Sequence, residues 1–284
     1  MINCIPATPQ TQMPQGSTNV TRFIRALMAL MVMVASAALA EPPSIGIVVM
    51  HGKGGSPTKF VSGLASALAD KGYLVANLEM PWSGRRDYDV SVSRAEEEVE
   101  STLAALRGKG AQKLFVAGHS QGGAFAVYFA GKHSIDGVIA IAPGGDTGSP
   151  IAREKLGESV ARARQAVAEG KGEEKLRLLD YEGSRGTYPV VVAPAVYLSW
   201  FDPEGAMNLA RTALALNAQT PVLWLVAKND YPGLRRANIP LYGRIPAHPL
   251  NAFYEPNSSH LEAPSAALDE IVRWTREVAN AAKR

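Results

Sequence analysis

Cysteine is almost missing from this chain of 284 residues, with Cys4 the only one. A lone thiol so close to the N-terminus makes no intrachain disulfide, and it leaves the rest of the chain without a thiol nucleophile or a cysteine-based metal site. Histidine is also sparse: there are five, with no His-Glu-x-x-His pair and no clustered ligands, so no metal is expected. Lys plus Arg number 29 against 26 Asp plus Glu, a net charge of +3 with no basic cluster, which argues against nucleic acid as a partner. The phosphate-loop pattern Gly-x-x-x-x-Gly-Lys-Ser/Thr is absent, and nothing else in the chain calls for a cofactor. No internal repeat or low-complexity tract interrupts a composition that is 46% hydrophobic and 19% charged, enough apolar material for one sizeable core.

The first forty residues read separately from that core. They contain no acidic residue, place Arg22 and Arg25 ahead of an apolar run over 26–35, and end in Ala38-Leu39-Ala40. This is the order of a secretory signal with a small-residue cleavage site before Glu41. Only about fifteen mostly apolar residues follow Arg25, short of the roughly twenty that span a bilayer, so no stable membrane span is expected after cleavage. Residues 1–40 are therefore read as a signal peptide and 41–284 as the folded domain, placed in the periplasm or secreted. The long polar stretch before Arg22 points to Met13 or a later codon as the start, and Cys4 lies too early to carry a lipid anchor.

Beyond the signal, strand and helix patterns alternate. Residues 45–50 are a continuous apolar, β-branched run of the kind buried on both faces of a parallel sheet. Phe60, Val61, Leu64, Ala65 and Leu68 recur at helical spacing over 58–71, and Gly72 stops them. A strand over 74–78 precedes a helix over 91–107, whose Glu96, Glu97, Glu98 and Glu100 read as a solvent-facing charge run. Strands follow over 113–117, 137–142, 221–227 and 250–254, with a terminal helix over 265–283. Such alternation predicts an α/β fold with a parallel sheet and right-handed crossovers, its functional groups gathered at the carboxyl ends of the strands.

One junction stands out. Between the strand at 113–117 and a helix beginning near Ala124 lies Gly118-His119-Ser120-Gln121-Gly122-Gly123. A sharp strand-to-helix turn forces its central residue toward positive φ and leaves no room for side chains two positions to either side. Gly118 and Gly122 meet that demand. The turn exposes the Ser120 hydroxyl and leaves the N–H of Gln121 at a helix N-terminus, aimed where an oxyanion would form.

The segment resembles the nucleophile elbow of the α/β-hydrolases, and of bacterial lipases and esterases among them. That resemblance implies an α/β-hydrolase fold, and because the expected mature chain begins at its first strong strand, about six parallel strands flanked by helices are expected, without the two N-terminal strands of the full eight-stranded version. It also implies that His51-Gly52-Lys53-Gly54-Gly55-Ser56 shapes the oxyanion loop, with Lys53 giving the second N–H. Asp230, just past the strand at 221–227, stands where the family places its triad acid, and His260 follows in the family's order of Ser, Asp and His. Asp146, after the preceding strand, is the alternative acid, and His248 the alternative base. Glu79-Met80-Pro81-Trp82-Ser83-Gly84 resembles the family's Asp-x-Pro-Gly-x-Gly turn, with Glu79 and Trp82 departing from it; Trp82 is either packing or part of a pocket mouth.

Between about 147 and 219 the alternation lapses, where many members of the family insert a helical cap. A charged, Ala-rich helix over 153–169 is broken by Gly170-Lys171-Gly172, and the aromatic group Tyr197, Trp200 and Phe201 either lines a substrate pocket or fastens the cap to the core. The expected activity is hydrolysis of a small-molecule or lipid-like carboxylic ester through an acyl-enzyme, without cofactor. The alternatives are a thioesterase or other acyl hydrolase, or a non-catalytic ligand-binding protein of the same fold. Intact-mass analysis of the exported protein is expected to give Glu41 as its first residue; a periplasmic form retaining 1–40 contradicts the signal reading.

Overall fold

The computed structural model describes Met1 and residues 43–281, so the expected signal segment lies, Met1 apart, outside the described residues. Six strands, β1 (Ile45–Met50), β2 (Leu74–Leu78), β3 (Lys113–His119), β4 (Gly137–Ile141), β7 (Val222–Leu225) and β8 (Ala252–Tyr254), form one sheet. Two more, β5 (Leu176–Glu182) and β6 (Gly186–Val192), form a separate hairpin. The larger sheet runs β2-β1-β3-β4-β7-β8 with every pair parallel, as the alternating pattern predicts.

Strand periodicity divides the core into two layers. Ile45, Ile47 and Val49 of β1 face α1 (Ser62–Asp70) and α9 (Leu268–Ala281), where Leu64, Leu68, Ile271 and Trp274 are buried. Val48 and Met50 face the opposite way, toward α2 (Val92–Gly108) and α3 (Gln121–Ala130), which supply Val99, Leu103, Phe125 and Phe129. Because both faces are covered, β1 and β4 are buried along their whole lengths.

Element boundaries move for local reasons. Helix α1 starts at Ser62 because Ser56 bridges to Lys59 and Phe60 in a turn that takes Phe60 to φ 69°. The terminal helix is broken into α8 (Ala263–Ala266) and α9. Glu96, expected at the surface of α2, is buried instead, and Lys132, His133 and the Tyr128 hydroxyl surround its carboxylate.

The cap departs furthest from expectation. It holds α4 (Pro150–Ala168), α5 (Pro194–Phe201) and α6 (Leu209–Leu214), but the β5–β6 hairpin sits between α4 and α5, so the insertion is mixed rather than helical. Alternation was present in the sequence: Val190 and Val192 point inward with exposed Val191 between them, and Leu178 and Asp180 do the same in β5. The buried Asp180 disguised that period. After β7, helix α7 (Pro232–Tyr242) runs over the sheet with its Asn238 and Leu241 buried. Among the described residues no helix is long and apolar enough to cross a membrane.

The tightest backbone approach lies at the end of β3. A Cβ on Gly118 would stand 2.0 Å from the carbonyl oxygen of Gly122, and one on Gly122 would stand 2.6 Å from that of Met50. Both obstacles are backbone, so neither can swing aside. Gly118→Ala is expected to cost about 3 kcal/mol or more, at the upper end of overpacking substitutions. In a chain of this size that is a fall of about 6–12 °C in Tm, readable by calorimetry; an unchanged Tm contradicts the described turn.

Candidate active site

Ser120 is the residue between strand and helix, and its backbone bears the strain of the junction at φ 53°, ψ −117°. A non-glycine residue in this region costs on the order of 1–3 kcal/mol and persists only where its surroundings impose it. Here they do. The Ser120 N–H donates to the Ile141 carbonyl at 2.9 Å, and its own carbonyl accepts from Gly144 at 3.0 Å and from Ala124 at 3.1 Å. The turn is thus fastened to the end of β4 on one side and to the first turn of α3 on the other.

The loop after β1 closes over this turn. A Cβ on Gly52 would meet that of Ser120 at 2.8 Å, so only glycine allows the approach. His51 holds the loop: its Nε2 accepts from the Met80 N–H at 3.0 Å, which leaves Nδ1–H to donate to the Gly52 carbonyl at 2.8 Å. Burial pushes its pKa below the ordinary histidine value, consistent with this neutral tautomer. The backbone N–H groups of Lys53 and Gln121 donate to no other backbone group among the described residues, and both residues line the cavity that contains Ser120.

Asp230 and His260 meet through an extension of sheet pairing. Strands β7 and β8 pair Leu225 with Tyr254, and past their ends a parallel bridge joins Asn229 to Ser259, so the next residue on each side comes side by side. Nδ1 of His260 lies 2.9 Å from Oδ1 of Asp230, with the ring N–H not yet turned into line with that oxygen. Both side chains are buried, and Oδ1 of Asp230 also accepts the Tyr231 N–H at 2.7 Å. His260 lines the same cavity as Ser120.

The two rivals are occupied elsewhere. Asp146 lines the cavity, but its Oδ1 accepts the N–H groups of Gly148 at 2.9 Å and Leu209 at 3.0 Å, joining the start of the cap to its last helix. His248 is half-exposed, outside the cavity lining, and its Nδ1 accepts the Leu250 N–H at 3.1 Å.

A cavity of about 490 Å3 opens above Ser120, within the range of small-molecule sites. Ile151, Leu156, Met207, Leu209, Leu234 and Leu241 give it a largely apolar wall. Of the four aromatics singled out in the sequence, Trp200 and Phe201 line it, whereas Trp82 and Tyr197 do not. Trp82 donates its Nε1–H to the His51 carbonyl at 2.8 Å and packs edge-on against Phe125 and Trp200, both centroids 5.6 Å away. Tyr197 stacks on Phe201 at 4.4 Å and donates to the Leu179 carbonyl. The aromatic group therefore fastens the cap, and two of its members also face the cavity.

Three residues gain a place here that the sequence did not reveal. Asp180 is fully buried in β5, and Leu234 and Tyr231 line the cavity from α7 and the residue preceding it. His119 lies beneath His260, ring centroids 4.7 Å apart, and its Nε2–H donates to the His260 carbonyl at 3.0 Å. Burial, and secondarily the neighbouring His260, push its pKa down to about 3. A local sign was available only for α7, as Pro232 opens and Gly243 closes an amphipathic stretch.

Chains of known structure share this architecture. One from the study of LipS and LipT, two metagenome-derived lipolytic enzymes, is 22% identical, with TM-score 0.53 over 86% of this chain and 95% of that one. A monoacylglycerol lipase of Paleococcus ferrophilus is 22% identical, with TM-score 0.54 over 83% and 94%. A thermostable carboxyl esterase from Bacillus coagulans, bound to glycerol, is 14% identical, with TM-score 0.60 over 85% and 91%. At such identities the likeness carries the fold alone. No curated protein matches the sequence.

His119 makes stability depend on pH in a definite direction. The folded state holds it neutral down to about pH 3, while the unfolded chain protonates it near its ordinary 6.5. Its contribution is therefore complete above pH 6.5 and lost as pH falls from there toward 3. The Tm advantage of the wild type over His119→Asn is expected to shrink between pH 7 and pH 4; a constant gap contradicts a neutral buried His119.

The family model for the alpha/beta hydrolase family matches residues 47–274, a span that begins inside β1, ends inside α9 and contains the turn at Ser120, the loop at Gly52 and the Asp230–His260 pair, and the chain belongs to that family.

Proposed function

We propose that this protein is an exported serine hydrolase that cleaves carboxylic esters through an acyl-enzyme. The observation that carries the reading is the 2.9 Å approach of His260 Nδ1 to Asp230 Oδ1 in the wall of the cavity that holds Ser120. With Nδ1 beside the aspartate carboxylate, Nε2 is the nitrogen left to serve the serine. A serine hydroxyl is a weak nucleophile until a base removes its proton, and His260 is that base. Asp230 fixes the imidazole tautomer and stabilises the cation that forms.

As Ser120 Oγ bonds to the ester carbon, the carbonyl oxygen becomes an oxyanion. It receives the free N–H groups of Lys53 and Gln121, contacts worth about 3 kcal/mol each in comparable sites. Collapse breaks the bond to the alcohol oxygen, which takes the proton from His260, and water then repeats the sequence on the acyl-enzyme. The apolar wall of the cavity suits a hydrocarbon acyl or alcohol group, with Trp200 and Phe201 among its contacts. The fold shared with lipolytic enzymes and a carboxyl esterase supports the ester reading. Export rests on the N-terminal charge and apolar pattern, and places the substrate outside the cytoplasm.

Turnover of p-nitrophenyl acyl esters tests the assignment. Ser120→Ala is expected to abolish it, and Asp230→Asn to lower kcat by about 10^4 through the wrong imidazole tautomer. Asp146→Asn is expected to keep kcat within about tenfold, as its carboxylate serves the cap. An active Asp230→Asn enzyme beside an inactive Asp146→Asn reverses the choice of acid.

A further inference from the structure

A second buried carboxylate, Asp180, has no part in the steps above, yet it is the most heavily bonded acidic side chain around the cavity. It belongs to the cap hairpin, whereas two of its partners, Lys53 and Tyr88, do not. Oδ1 lies 2.5 Å from Nζ of Lys53, on the loop after β1, and Oδ2 accepts the hydroxyl of Tyr88 at 3.0 Å and that of Tyr188 at 2.8 Å. Lys53 Nζ donates a second time to the cap, at the Tyr181 carbonyl, and lies over the Phe201 ring at 5.7 Å. Tyr88 is buried in the loop that precedes α2, and its hydroxyl in turn accepts from Nε2 of Gln121 at 3.3 Å. Its pKa is pushed far up by burial and by the Asp180 charge, so it remains a hydroxyl that donates.

One carboxylate is thus joined to both residues whose N–H groups would receive the oxyanion, to Lys53 directly and to Gln121 through Tyr88. These contacts go through side chains, leaving both backbone N–H groups without a backbone partner among the described residues. We infer that Asp180 is a positioning residue: seated by the cap hairpin, it holds the Lys53 loop and the first residue of α3 at the separation that lets their N–H groups meet one oxyanion. The inference rests on the ester-hydrolase reading and deepens it, since it makes the seating of the cap a condition for the chemistry rather than only a boundary for the substrate. Misplacement of catalytic geometry by an ångström costs about 100-fold in rate, so a loosened contact at this distance from the reacting atoms falls within that bound.

Kinetics and melting of three variants separate positioning from mere support. Asp180→Asn, nearly isosteric, is expected to lower kcat by about 10- to 100-fold with KM within about threefold. Lys53→Met keeps the backbone N–H but leaves Asp180 without its cation, and is expected to lower both kcat and Tm. The double variant Lys53→Met, Asp180→Asn buries no charge, so its Tm should return toward the wild type while kcat stays low, with the two losses in kcat far from additive.

If kcat recovers in step with Tm in the double variant, Asp180 only supports the fold. An Asp180→Asn enzyme with kcat within about twofold of the wild type overturns the inference as well. Should Asp180→Asn fold poorly, the double variant still decides. Ester turnover that survives in Ser120→Ala overturns the underlying reading and this inference together, whereas turnover lost in Ser120→Ala but unaltered in the Asp180 variants overturns this inference alone.

Discussion

The close contact of three backbone segments at the end of β3 sets the position of everything else in this molecule. Gly118, Gly122 and the Met50 carbonyl approach so nearly that no side chain fits between them, and Ser120 is forced to φ 53° as the chain turns into α3. The same contact seats the loop after β1, because Gly52 rests on Ser120 Cβ and His51 bonds that loop to the end of β2. Strain on the order of a few kcal/mol is distributed over a rigid parallel sheet, which a single turn cannot deform. A serine hydroxyl and two unused N–H groups consequently open into one cavity.

Around that point, charge is handled by assigning each of three cavity-wall or buried carboxylates a different task. Asp230 faces an imidazole, Asp146 takes two backbone N–H groups that join the start of the cap to its last helix, and Asp180 takes an ammonium and two phenols under the hairpin. In Asp146, burial raises the pKa while the two backbone bonds oppose the shift. Desolvation makes an unpaired charge costly in such surroundings, so each partner set also fixes the element that carries it. The cap is bound to the body by these polar contacts together with the aromatic cluster of Trp82, Tyr88, Phe125 and Trp200.

Much of the arrangement could be read in the residues themselves, and the parts that could not share a physical cause. The parallel strands were plain because burial on both faces makes β1 and β4 continuous apolar runs. The turn at Ser120 was plain because only glycine tolerates those backbone distances, and the succession of Ser120, Asp230 and His260 followed the resemblance. The hairpin was obscured by Asp180, a charged residue at an inward position, where long-range partners in Lys53, Tyr88 and Tyr188 outweigh the local pattern. Glu96 misled for the same reason, since Lys132 and His133 come from beyond its own helix. Trp82 and Tyr197 could not be told from pocket residues, because an indole or phenol buried by packing and one facing a ligand have the same composition and spacing.

The central claim is that the hydroxyl exposed by this turn is the nucleophile. Peptide mapping by mass spectrometry after reaction with a fluorophosphonate tests it most directly. The account requires a single adduct, one per chain, on Ser120; a protein that takes no label, or carries it on any other residue, contradicts it.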